Sequence, residues 1–165
     1  EDGTDQNMVA AWNSESGDNI GGALRSTDGG ASWFDSSTGL PAFFRSPRLC
    51  ASPAHPQSLV VSASLSFQSA GLFRTTDSGA TWSAASTGLS SMNARAIALA
   101  PSQPGTLYAA TDKGVDQSLD GGATWAGYNT GLGIADITAL AVDPTDPLSA
   151  YAATWDGGIF KNLTQ

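Results

Sequence analysis

Short apolar runs alternate along the chain with stretches rich in Gly, Ser, Thr and Asp. Pro53, Pro101 and Pro144 each close one such run, and six residues after each proline another opens at Leu59, Leu107 and Ala150. Those second runs read Leu59-Val60-Val61, Leu107-Tyr108-Ala109-Ala110 and Ala150-Tyr151-Ala152-Ala153. A third run is led by glycine, as in Gly71-Leu72-Phe73-Arg74, and a fourth follows a tryptophan. Runs this short, bounded by turn residues, predict strands, labelled here A to D within each unit. Ala94 to Ala100 has the propensity of a helix, but it stands in the register of Ile137 to Asp143, whose Asp-Pro and Gly neighbours favour a strand.

The units repeat. Ser26-Thr27-Asp28-Gly29-Gly30-Ala31-Ser32-Trp33 returns as Thr75-Thr76-Asp77-Ser78-Gly79-Ala80-Thr81-Trp82 and as Ser118-Leu119-Asp120-Gly121-Gly122-Ala123-Thr124-Trp125, with the aspartates 49 and 43 residues apart. Each tryptophan is followed in register by the same tripeptide, Thr38-Gly39-Leu40, Thr87-Gly88-Leu89 and Thr130-Gly131-Leu132. A period of 40 to 50 residues holding four strands of about five to six residues predicts a propeller blade.

The Ser/Thr-x-Asp-x-Gly-x-Ser/Thr-Trp motif resembles the Asp-box, or bacterial neuraminidase repeat, of the β-propellers in sialidases, xyloglucanases, sortilin-type receptors and photosystem II assembly factors. The resemblance implies a box in each C–D hairpin turn and ligands bound on the opposite face, at the B–C and D–A loops. The residues agree with a structural role for the box, Ser26, Asp28, Gly30 and Trp33; Thr75, Asp77, Gly79 and Trp82; Ser118, Asp120, Gly122 and Trp125. A short Asp side chain can accept from the N–H groups of its own turn, glycine supplies a positive φ, and tryptophan supplies a large packing anchor.

The expected fold class is all-β, with propeller blades of four antiparallel strands and about 3.5 blades in the chain. The expected segments are blade 1 without strand A (1–46), blade 2 (47–93), blade 3 (94–135) and blade 4 without strand D (136–165), fourteen strands in all. Gly158-Ile159-Phe160-Lys161 matches Gly71-Leu72-Phe73-Arg74, and Asn162-Leu163-Thr164 then stands where a fourth box would begin. That tripeptide is also a glycosylation sequon, to which little weight attaches. The first residue is Glu1, so either a leader has been removed or the chain is a piece of something longer. An incomplete ring predicts further blades from a longer chain or from another copy, because an unpaired strand edge is a template for association.

Composition narrows the function. Seven basic residues against fifteen acidic ones, a formal charge of −8, argue against nucleic acid as a partner. No apolar stretch is long enough to predict a membrane span. A lone Cys50 excludes an intrachain disulfide, and it aligns with Ala98 and Ala141 at an inward-looking strand position. His55, placed in the A–B turn between two prolines, has no partners at ligand spacing, so neither metal nor cofactor is expected.

Candidate ligand contacts fall where loop length varies, in Asn13 to Gly21 and Ser64 to Ala70 and in the D–A segment from Pro41 to Arg48. Phe43, Phe44, Arg45, Arg48, Phe67, Arg95 and Trp155 could stack on a sugar or anchor a protein partner, although a phenylalanine here could equally pack between blades. Trp12 poses the same choice. The resemblance to sialidases implies an arginine cluster with a Tyr–Glu nucleophile. Arg45, Arg48 and Arg95 could approach one another, but Tyr108 and Tyr151 fall in B strands and Tyr128 in a D strand, with no Glu beside them. A glycosidase needs two carboxylates about 5 to 9.5 Å apart, and only Glu15, Asp18, Asp112, Asp136 and Asp156 are on the expected face, without a recognisable pair. Asp116 takes the place of Leu24, Phe73 and Phe160, either exposed on an edge or paired.

The expected function is therefore a non-catalytic scaffold, secreted or periplasmic, for a protein or glycan ligand. A subunit that self-assembles through incomplete terminal blades, and part of a glycoside hydrolase propeller, are the alternatives.

Overall fold

A computed structural model describes residues 7–13, 21–42, 45–52, 55–64, 69–132 and 136–161. They form four antiparallel sheets in chain order, and within each sheet neighbouring strands are consecutive in sequence. The first contains β1 (Met8–Asn13), β2 (Gly21–Ser26) and β3 (Phe34–Asp35). The second contains β4 (Arg45–Ser52), β5 (His55–Ser64), β6 (Ser69–Thr75) and β7 (Ser83–Ala84). The third contains β8 (Ala94–Leu99), β9 (Leu107–Thr111), β10 (Gly114–Ser118) and β11 (Ala126–Gly127). The fourth contains β12 (Ile137–Val142), β13 (Ala150–Thr154) and β14 (Ile159–Lys161). The fold is all-β, a β-propeller segment of about three and a half blades.

Stacking sheets face to face explains the continuous apolar runs. Leu59 and Val61 of β5 face the first sheet, in a cluster with Ala23 and Trp82, while Val60 between them faces the third sheet with Leu107, Ala109 and Trp125. A strand covered on both faces has no polar side to show. β9 is accordingly buried along its whole length, whereas β13 alternates buried with half-buried positions. The third cluster joins Tyr108, Ala110 and Val115 to Ile137, Ala150 and Ala152 of the fourth sheet.

Three details depart from the sequence expectation. The outermost strands β3, β7 and β11 pair over only two residues each, because the residues around the tryptophan are spent on the turn rather than the ladder. Tyr128 lies just past β11 and not within it, its N–H donating to the Val115 carbonyl. His55 opens β5 opposite Ser52, whose Oγ accepts its N–H at 3.2 Å, so pairing continues to the end of the turn. Cys50 is half-buried beside the cluster of Val60 and Leu107, and loss of hydration raises its thiol pKa.

Candidate ligand-binding face

The three Asp-Gly-Trp turns share one hydrogen-bond pattern. In the third, Ser118 Oγ donates to Asp120 Oδ1 at 2.8 Å and accepts from Gly122 N at 2.9 Å. Asp120 then accepts from Thr124 N and Thr124 Oγ1 at 2.9 and 2.6 Å. The first turn repeats these contacts through Ser26, Asp28, Gly30 and Ser32, and the second through Thr75, Asp77, Gly79 and Thr81. Gly30, Gly79 and Gly122 all have positive φ, as expected of glycine in such a turn. Hydrogen bonds to the carboxylates hold Asp28, Asp77 and Asp120 at a pKa of about 2. Every oxygen of these aspartates is committed to its own turn, so they act as staples.

The opposite end of the sheets carries the candidate site. The first strand of each four-stranded sheet, and β12 likewise, has a register shift near its start, between Arg45 and Arg48, Ala94 and Ala96, and Ile137 and Ala139. A bulge re-aims the extra residue away from the ladder. In β8 that residue is Arg95, and its Nη1 reaches Asp136 Oδ1 of the next sheet at 2.5 Å. Asn93 Nδ2 donates to Asp112 Oδ2 at 3.3 Å in the turn between β9 and β10. Hydrogen bonding from Ser91 and Asn93, with the charge of Arg95, lowers the Asp112 pKa against the opposing effect of burial. Trp155, in the turn between β13 and β14, donates its backbone N–H to Asp136 O at 2.9 Å and leaves its side chain 79% exposed.

Of the expected site residues, Arg95, Asp112, Asp136 and Trp155 are thus brought to one end of the third and fourth sheets. Arg48 lies exposed in β4, opposite Ser62, and Asp156 is exposed beside Trp155. Trp12 is half-exposed in β1. Phe43, Phe44, Phe67, Glu15, Asp18 and the sequon lie outside the described residues, and the backbone of Arg45 begins β4. Sequence reasoning missed Ser91 and Asn93; the signal was a polar Ser90-Ser91-Met92-Asn93 segment between Leu89 and strand β8.

Asp116 is fully buried at the junction of the second and third sheets. Its Oδ2 accepts from Ser90 N at 3.1 Å and Ser90 Oγ at 2.7 Å. Of the two sequence alternatives for this residue, the structure shows the paired one. Among the described residues, no three His, Cys, Asp or Glu side chains gather in a metal-holding arrangement.

No protein-family profile matches the sequence, and no curated protein does. Solved structures do. A GH74 enzyme of Niastella koreensis superposes with a TM-score of 0.62 at 20% identity, covering 92% of this chain and 24% of its own. A GH74 enzyme described as ancestral gives 0.57 at 16% identity, covering 93% of this chain and 25% of its own. At these identities the likeness is one of fold. The chain spans about a quarter of the length of these enzymes.

Proposed function

We propose that the chain is part of a secreted or periplasmic Asp-box propeller that binds a protein or glycan ligand without transforming it. The observation that carries this reading is Trp155, a large indole held almost wholly in solvent beside the Arg95–Asp136 ion pair. An exposed aromatic face beside fixed polar groups suits stacking on a sugar ring or anchoring a partner side chain. Phe43, Phe44, Arg45, Arg48 and Phe67 belong to the same proposed loop face. The common hydrogen-bond pattern of the three turns supports the Asp-box assignment.

Two features argue for binding rather than hydrolysis. A glycosidase acid needs a raised pKa, and Asp112 is lowered. Asp136, a second carboxylate at this end, is engaged by Arg95. A second reading, association of the outer sheets with further blades, is favoured by the exposed Trp33, Phe34 and Ile159.

Oligosaccharide and peptide arrays probed with the chain and with Trp155→Ala test the first reading. Expected is a ligand whose signal falls at least tenfold in the variant at unchanged thermal midpoint. Equal signals for the two proteins would contradict it.

A further inference from the structure

Successive sheets are joined alike at the tryptophans and differently further along the strands. Trp125 donates its backbone N–H to Thr87 O at 2.9 Å, and Trp82 repeats this one sheet earlier on Thr38 O, also at 2.9 Å. The difference lies in one row across the middle strands. In the third sheet Tyr108 of β9 stands opposite Gln117 of β10 and faces the fourth sheet. Its hydroxyl donates to Pro147 O and accepts from Gln117 Nε2, both at 2.8 Å, and the side chain is fully buried. A phenol fills that place.

In the second sheet the same row reads Val60 of β5 opposite Arg74 of β6, with Cys50 of β4 on the other side of Val60. Valine lacks the ring of tyrosine, and a cavity of about 220 Å³ remains, lined by Cys50, Val60, Arg74, Leu99 and Leu107, and by Pro104 at the register of Pro147. A benzene ring fits an apolar cavity of about 150 Å³. Arg74 Nη2 reaches across to the third box, 3.7 Å from where a Cβ on Gly121 would stand. Its Nε–H is buried with no hydrogen-bond partner among the described residues. A buried donor left unpaired carries a cost that an oxygen placed beside it removes. Asp120 also lines the cavity, its carboxylate held by Ser118 and Thr124 of its own turn, so Arg74 and Asp120 bring one charge of each sign to the wall. That balance favours a neutral ligand over an anion.

We propose that this cavity is a binding site for a small phenol, seated as Tyr108 is seated one sheet later. The ring lies against Val60, Leu99 and Leu107, while the hydroxyl accepts from Arg74 and donates to the Pro104 carbonyl. A guanidinium is a stronger donor than the amide of Gln117, so the hydroxyl is the group that selects the ligand and the ring is the group that fills the space. The cavity lies at the box end of the sheets, away from Trp155, and the proposal stands whether or not the Trp155 end binds a ligand.

The test is calorimetric titration of the whole chain with p-cresol, the tyrosine side chain as a free molecule, with toluene and benzoate titrated alongside. Alkylation of Cys50 by iodoacetamide reports the place, since the chain has one cysteine. Saturable binding of p-cresol is expected, at least tenfold tighter than that of toluene or benzoate, with alkylation of Cys50 slowed severalfold at saturation. Arg74→Met is expected to bring p-cresol to the level of toluene, and Val60→Tyr to abolish binding by filling the cavity. No saturable binding, equal binding of toluene, or an unchanged rate of Cys50 alkylation in the saturated chain overturns the proposal without any protein variant. Binding of benzoate as tight as that of p-cresol gives the cavity to an anion and also overturns it.

Discussion

The indole N–H of Trp125 donates to the carbonyl oxygen of Ala85 at 2.8 Å, tying the third sheet to the second across 40 residues of sequence. Trp82 makes the same bond to Ser36, and both side chains are 5% exposed. Trp33 has the same turn sequence but bonds to Gly30 of its own turn and is 38% exposed. Trp125→Ala is therefore expected to cost about 3 to 5 kcal/mol, the range for deleting a buried aromatic. Trp33→Ala is expected to cost about 1 kcal/mol or less, as for a change away from buried contacts. Urea unfolding of the two variants checks the difference.

Gly88 and Gly131 share a backbone conformation, with φ of 86° and 78°. At Gly88 a methyl group meets the Trp125 carbonyl as well as the unfavourable φ; at Gly131, among the described residues, it meets only the φ. Gly131→Ala is expected to cost about 1 kcal/mol and Gly88→Ala to exceed it by about 2 kcal/mol or more. Equal losses in denaturant midpoint would remove the close approach as the reason for glycine.

The blade structure was legible because it is written locally: Asp120, Gly122 and Trp125 act within a single turn, and a turn repeated in register exposes itself. The short outer strands were not legible, since no local signal marks where a turn stops and pairing starts. The Arg95–Asp136 pair joins residues 41 apart on different sheets, and it depends on a bulge that leaves no composition signal. Asp116 stood out as polar at an apolar register, but its partner Ser90 lies in the loop between β7 and β8, 26 residues away, and only the packing identifies it.

Acid should loosen the turns. For Asp28 the hydroxyl and then the N–H of Ser32 are the leading causes of its low pKa. For Asp77 and Asp120 lost hydration is the largest single effect and opposes ionisation, but hydrogen bonds outweigh it, from Thr75 and Thr81 to Asp77 and from Thr124 and Ser118 to Asp120. All three fall from 3.8 to about 2, so their contribution is complete above pH 3.8 and is lost as pH drops toward about 2. Exposure to solvent keeps each contribution small. The urea midpoint should fall over that window, and less steeply in the Asp28→Asn, Asp77→Asn, Asp120→Asn triple variant. Parallel pH profiles would contradict this.

Asp116→Ala removes the acceptor for both Ser90 N and Ser90 Oγ. The expected loss is about 1 to 3 kcal/mol, with Asp116→Asn closer to the parent because an amide oxygen can still accept. Thermal unfolding of the two variants decides it, and an alanine variant as stable as the parent would show that the pair does not hold the sheets together.

The central claim is that successive blades are joined by the tryptophan of one and the Thr-Gly-Leu segment of the one before. Hydrogen exchange of the five ¹⁵N-labelled indole N–H groups tests it most directly. Trp82 and Trp125 should exchange slowly, at a rate set by unfolding, while Trp33, with its bond confined to its own exposed turn, and the solvent-held Trp155 should exchange much faster. Exchange of Trp82 and Trp125 as fast as that of Trp155 would contradict it.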